Sequence, residues 1–317
     1  MRAIPDQLTK GPFSRAHALK LGVTPKMLRG QRFKRLHQAV YCVADHELTR
    51  DDLIQAARLA LPKRVYLTGI SRIQDLGLDF GPRIPVRFVI EGDHHLDLVD
   101  VFLHRTVKLP PVEGGEVTGE TAYLAYCALA RVLDAIKVGD WLLHNKHMSL
   151  QRLTDVATAE PWRDGAKEAL WVLPYLDHRS ASLPESEMRA ILEFAGLPRP
   201  ESNQALELGG DRTAIGDLLF RQPLLLIEYE GTHHQEERSQ YTSDIDRFEV
   251  VRRHGIPYLQ VTKERIRRPQ RLVKQVHAEL VRLGYDGPEP EFGERWRLLF
   301  APLSRVSGPK GVHRRAA

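Results

Sequence analysis

Three observations predict an α/β protein whose mixed sheet lies toward the C-terminus, preceded by a winged helix-turn-helix and an α+β middle region. Residues 224–227 (Leu-Leu-Leu-Ile) form an apolar run too short for a membrane span and suited to a strand buried on both faces. From residue 180 to about 287 the pattern reads helix, three-strand meander, helix, strand, helix, which is an α/β layer with a mixed sheet. Near the N-terminus, two short helical stretches flank Gly22-Val-Thr-Pro25 and lead into alternating strand residues.

Composition is that of a soluble globular chain: 317 residues, 42% hydrophobic and 27% charged, long enough for two or three domains. Cys42 and Cys127 are far apart in the chain and suggest neither a disulfide framework nor a thiolate metal site. The first ten residues lack an apolar signal core and no apolar run reaches membrane length, so a cytoplasmic protein with no membrane partner is expected.

The net charge of +5 is modest but unevenly spread. Residues 7–44 carry eight Lys or Arg and no acid, residues 252–274 carry eight against the single Glu264, and the tail from 305 to 317 adds four more. Clusters of this kind are the electrostatic footprint of a polyanion binder.

Residues 1–48 read as the helix-turn-helix. Ser14 is placed to cap a helix whose apolar face is residues 16–21, and Thr24 to cap a second, with Pro25 at its first position and a stop at Gly30. Residues 40–43 (Val-Tyr-Cys-Val) read as a wing strand. Arg15, Lys26, Arg29, Arg32, Lys34 and Arg35 are the candidate DNA contacts. Residues 49–175 form the α+β middle: helices over 51–61 and 68–76, strands over 86–90 and 98–104, one long apolar helix over 121–136, and another starting at 140. The pairs His94-His95 and His144 with His147 have no recognisable ligand spacing, and surface histidines are expected there.

The third part, residues 180–287, carries the chemistry, and residues 288–317 form a basic tail. A helix runs over 183–195, strands over 204–208, 214–220 and 223–230, a helix over 240–254, a strand over 257–261 and a last helix over 269–283. Glu228 and Glu230 share a strand face, with Tyr229 opposite, and Asp217 lies on the neighbouring strand. Hydrolysis of a phosphodiester calls for a metal ion held by hard oxygens on rigid strands, a chemistry suited to Mg²⁺ or Mn²⁺. Glu185 at the helix start can add an outer carboxylate. His234 can serve as general base or acid, Asp244 can orient it, and Arg247 can meet phosphate or pair with Asp244.

The order Pro-Glu185-Ser-x-x-Arg189, Gly-Leu-Pro-x-Pro, Asp217-Leu-Leu, Glu228-Tyr-Glu230-Gly-x-His-His234, Gln240-Tyr-x-x-Asp244-x-x-Arg247 and Val261-Thr262 resembles a specific family. It is similar to the endonuclease-like domains related to very-short-patch mismatch repair endonucleases, within the PD-(D/E)XK superfamily. Pro12-Phe-Ser-Arg-Ala, Gly22-Val-Thr, Leu28-Arg-Gly and Val40-Tyr41 resemble the winged helix of AbiEi-type antitoxins. The resemblance implies a restriction-endonuclease-like domain with metal on Asp217 and Glu228, supported by Glu185. It also implies that Glu230 stands where the superfamily has a lysine, with His234 in the part of the relatives' histidine, one residue nearer Gly231 than in those relatives. The expected function is magnesium-dependent cleavage of DNA by a DNA-binding protein, with a homodimer allowed. The alternative is a non-catalytic DNA-binding regulator, related to AbiEi antitoxins, that uses a degenerate nuclease fold.

Overall fold

A computed structural model describes residues 3–209, 212–230 and 254–306. His233, His234, Asp244, Arg247 and all but the last residue of the helix expected at 240–254 lie outside them. The chain is mixed α/β with several small sheets, and it groups into two compact units, Met1–Ala122 and Tyr123–Ala317. The expected parts 49–175 and 180–287 do not coincide with this division, because helices of the middle part belong to the second unit.

In the first unit, β1 (Phe13–Ser14), α1 (Arg15–Lys20), α2 (Pro25–Leu28), β2 (Phe33–His37) and β3 (Val40–Val43) follow in order. The Ser14 hydroxyl accepts the His17 N–H at 3.2 Å and the Thr24 hydroxyl accepts the Met27 N–H at 3.3 Å. Both predicted caps therefore form, each satisfying an amide that a helix start leaves unpaired. The strands make an antiparallel sheet ordered β1-β3-β2. Leu8, Phe13, Ala18, Val23, Leu28 and Phe33 form the core, with the Phe13 and Phe33 rings edge to face at 5.8 Å.

Helix α3 (Arg50–Ala60) begins with a reciprocal cap between Thr49 and Asp52. The Asp52 carboxylate also lies 2.9 Å from His46 Nε2, and Gln55 donates to the Pro12 carbonyl at 2.9 Å. Burial alone would raise the Asp52 carboxyl. The Thr49 N–H, the His46 and Thr49 side chains and the charge on His46 outweigh it and hold the carboxyl below its usual value. The unit continues through β4 (Val65–Leu67), α4 (Gly69–Asp75), β5 (Val86–Glu91) and β6 (Val101–Thr106). β5 pairs antiparallel with β4 and parallel with β6. A short hairpin of β7 (Val112–Glu113) and β8 (Glu116–Val117) is anchored by Glu116, which takes the Arg58 guanidinium and the Leu67 N–H.

The second unit contains α6 (Val132–His144), α7 (Leu150–Ala159), α8 (Ala166–Val172) and α9 (Leu183–Phe194), and the division itself falls inside α5 (Gly119–Cys127). The single helix expected over 121–136 is thus two helices. Residues between them pair with a distant stretch: Val132 N–H donates to the Ala301 carbonyl and Leu303 N–H to the Ala130 carbonyl, around an Arg131–Pro302 bridge. Those bonds replace the helical ones. The helix expected to start at 140 is instead the end of α6.

Next come β9 (Glu201–Ser202), β10 (Ala205–Gly209), β11 (Arg212–Ile215), β12 (Leu218–Arg221), β13 (Leu224–Glu230), β14 (Tyr258–Thr262), α10 (Lys263–Ile266), α11 (Pro269–Arg282) and α12 (Glu294–Leu299). The four-stranded sheet is ordered β14-β13-β12-β9, with β13 and β14 parallel and the other pairs antiparallel, so it is mixed as expected. The three-strand meander is not observed. The strand expected over 214–220 breaks, β11 forming a separate hairpin with β10 and only β12 joining the main sheet.

Helices α6 and α9 are joined by an ion pair, Arg189 Nη2 to Asp140 Oδ2 at 2.6 Å, with both side chains fully buried. The Asp177 N–H donates to the other Asp140 oxygen at 2.7 Å. Burial pushes the Asp140 carboxyl up, against the pull of the Arg189 charge, the Asp177 N–H and the Ser186 hydroxyl.

Asp140→Ala leaves the buried Arg189 guanidinium with only the longer Glu193 contact at 3.6 Å, and is expected to destabilise the protein by about 3–5 kcal/mol in urea unfolding, whereas the paired replacement Asp140→Leu with Arg189→Met costs far less. Because the Asp52 carboxyl is depressed, its stabilisation is present above the ordinary aspartate value of about 3.9 and is lost as pH falls through the lower folded value. Unfolding midpoints of Asp52→Asn should therefore fall less steeply below about pH 4 than those of the parent.

Candidate carboxylate site at the sheet end

Leu225, Leu226 and Ile227 are all buried, so β13 is covered on both faces as its apolar run predicts. On one face Leu226 packs with Leu219 and Ile256. Close approach at this point explains the break before β12: a Cβ on Gly216 would lie 2.4 Å from Leu226 Cγ. The bend delivers Asp217 to the start of β12. Leu218 is the register partner of Ile227 and closes the ladder, so Asp217 and Glu228 are the residues just past its end. Asp217 Oδ2 accepts the Tyr229 N–H at 2.6 Å, satisfying an amide of β13 that lies beyond the β12–β13 pairing.

Glu185 reaches the same corner from α9. Its N–H donates to the Ser182 hydroxyl at 3.4 Å, and its Oε2 accepts the Ala181 N–H at 2.9 Å, closing the helix start from both sides. Asn203 then links the helix to the sheet. Its Nδ2 donates to Glu185 Oε2 at 2.6 Å and to the Arg179 carbonyl at 2.7 Å, while its N–H donates to the Asp217 carbonyl at 3.0 Å. Asn203 has φ +50°, a left-handed conformation that asparagine tolerates better than most residues. Sequence reasoning did not single it out. The available signal was weak: an asparagine after Glu201-Ser202, where a left-handed turn residue is in place.

Of the predicted site residues, Glu185 is linked through Asn203 to the backbone of Asp217, and the Asp217 carboxylate in turn meets β13 at the Tyr229 N–H, next to Glu228. Glu185 is 6% and Glu228 5% exposed, and carboxylates so buried need hydrogen bonds, protons or a cation. Glu230 lies further along β13, exposed, with Thr262 as its partner on β14. Asp217 stands at the bend before β12 rather than within a strand. His234, Asp244 and Arg247 are outside the described residues.

Among the described residues no three His, Cys, Asp or Glu side chains form a metal-holding group. Asp217, whose carboxylate accepts the Tyr229 N–H, and Glu228, the residue before Tyr229, offer two carboxylates at this end of β13. That donor set fits Mg²⁺, which is commonly held by one or two carboxylates together with water and substrate phosphate.

Of the predicted basic contacts in the first unit, Arg15, Lys26, Arg29 and Arg35 are exposed, and Arg32 and Lys34 half-buried. The Lys34 ammonium donates to the His46 carbonyl at 2.5 Å, so part of its role is to hold the turn ahead of α3. The histidine pairs are engaged locally: His95 lies 3.2 Å from Asp93, His144 faces the His178 carbonyl at 3.2 Å, and the His147 ring lies 5.4 Å from Trp141.

The chain matches no protein-family model, no curated protein and no solved structure.

Asn203→Gly removes the amide link but keeps the backbone conformation, whereas Asn203→Ala loses both. Thermal unfolding should rank parent above Gly above Ala, with Ala about 1 kcal/mol less stable than Gly.

Proposed function

We propose that this chain binds DNA and cleaves it by metal-dependent phosphodiester hydrolysis, with a restriction-endonuclease-like second unit and a winged-helix first unit. The observation that carries the reading is the corner where the Asp217 carboxylate meets β13 beside Glu228 and Glu185 is tied to the Asp217 backbone through Asn203. A mixed sheet that presents acids at the end of β13, the strand between its parallel and antiparallel neighbours, also fits a nuclease of the PD-(D/E)XK kind. Mg²⁺ or Mn²⁺, when bound, supplies positive charge for the phosphate oxygens and lowers the pKa of a bound water. Asp217 and Glu228 would hold it. Glu185, hydrogen-bonded to Asn203 and the Ala181 N–H, keeps the start of α9 against this corner. In the first unit, α1 and α2 are joined through Gly22 and followed by the β2–β3 hairpin, with Arg15, Lys26, Arg29 and Arg35 exposed to meet phosphates.

Glu230 favours a second reading. A carboxylate cannot lend phosphate the positive charge that a lysine in its place would, and on this reading the chain is a DNA-binding regulator, the second unit serving as a binding or dimerisation platform. No helix among the described residues is long and apolar enough to cross a membrane.

With Mg²⁺ or Mn²⁺, purified protein should nick supercoiled plasmid. Asp217→Ala and Glu228→Ala should each reduce nicking at least 100-fold, on the order of the loss when a group stabilising transition-state charge is removed. Both variants should keep DNA affinity within a few-fold in EDTA, with folding checked by circular dichroism. A wild-type protein that binds DNA yet leaves plasmid, mismatched duplex and single strands uncut supports the regulator instead.

A further inference from the structure

Two cavities of the second unit adjoin along one row of cations. The first, about 560 Å³, is lined by Arg268, Pro269, Gln270, Arg271, Lys274 and Trp296. The second, about 450 Å³, is lined by Glu264, Arg265, Arg268, Arg271, Leu272 and Gln275. Because they share Arg268 and Arg271, they form one groove with two guanidiniums at its middle.

Arg265, Arg268, Arg271 and Lys274 recur every three residues, and all four are exposed. Arg271 and Lys274 share a face of α11, where like charges repel. The helix supplies no compensation: its one acid, Glu279, takes both bonds of Arg282, at 3.0 and 2.5 Å. Glu264 is engaged at the start of α10, its carboxyl held below the usual range by its own backbone N–H and the Thr262 hydroxyl, then by the charges of Arg267 and Lys263. Arg265 donates to the Gln260 carbonyl at 2.6 Å, which fixes the side chain without neutralising it.

Beside the cations lies an aromatic wall. Trp296 is 5% exposed and packs edge to face with Phe292 at 5.0 Å and Phe300 at 5.3 Å, while the Lys274 ammonium lies 5.9 Å from the Phe292 ring. A lone phosphate would occupy a small part of either cavity and leave cations at both ends without a counter-charge. A chain of phosphates joined by sugars meets all four cations and offers apolar sugar faces to the wall.

We propose that this groove binds the phosphodiester backbone of a DNA strand, with Arg268 and Arg271 on adjacent phosphates and Arg265 and Lys274 on those beyond. The proposal rests on the DNA-binding reading above and adds phosphate contacts carried by the second unit itself.

The test is fluorescence anisotropy of a labelled duplex of about 20 base pairs in EDTA across a salt series. Arg268→Ala with Arg271→Ala should weaken binding at least tenfold at low salt and flatten the slope of log affinity against log salt by about two. Arg282→Ala, which removes a cation already paired with Glu279, should change neither. Unchanged affinity and slope in the double variant, or no binding by the parent, overturns the proposal. So does displacement of the probe by pyrophosphate at concentrations where equimolar phosphodiester in unlabelled DNA does no better, since that marks a pocket for a small anion. Cleavage is scored separately with Mg²⁺: loss of binding in the double variant with no nicking by the parent upholds the groove and removes the nuclease reading.

Discussion

Arg189 and Asp140 bring opposite charges into a place without solvent, and the helices of the second unit are arranged around that meeting. Desolvating either charge alone is far more expensive than desolvating the pair, so α6 and α9 are held in one relative position. Glu185, Arg189 and Glu193 are spaced four residues apart and lie on one stripe of α9. Arg189 thereby fixes the helix that carries Glu185, one turn nearer the sheet corner. Glu193 Oε2 lies 3.6 Å from Arg189 Nη1, too far for a hydrogen bond, so the stripe depends on the Asp140 contact above all.

The sheet corner follows from a mismatch in strand length. β13 runs past the end of its pairing with β12, leaving amides that need partners. Asp217 answers one of them, that of Tyr229, and so is drawn over the strand end. Gly216 permits the bend because Leu226 occupies the space that any side chain would need. Packing of one leucine and satisfaction of one amide thus bring the Asp217 carboxylate onto β13 beside Glu228.

Local chemistry was readable residue by residue. Ser14 and Thr24 cap their helices because capping involves only atoms three residues apart. Residues 225–227 of the apolar run are buried because exposing them to water would be costly. The break within 121–136 has the opposite origin. The apolar pattern continues through Leu129 and Ala130, and the break comes from backbone bonds to Ala301 and Leu303, which no local pattern encodes. The strand over 214–220 failed likewise, because β11 finds its partner in β10 while Gly216 yields to Leu226.

By itself the sequence determined an α/β chain with clustered cations, two capped N-terminal helices and a buried strand ending in acids. These properties depend on side-chain type and short spacing, and so survive without knowledge of the fold. Only the tertiary structure decided that Asn203 joins Glu185 to Asp217, that the Asp217 carboxylate takes the Tyr229 N–H beside Glu228, and that Arg268 and Arg271 stand between two cavities. Each of those depends on segments brought together by long-range pairing, where the strength of a contact is set by burial and geometry rather than by the identity of neighbours in the chain.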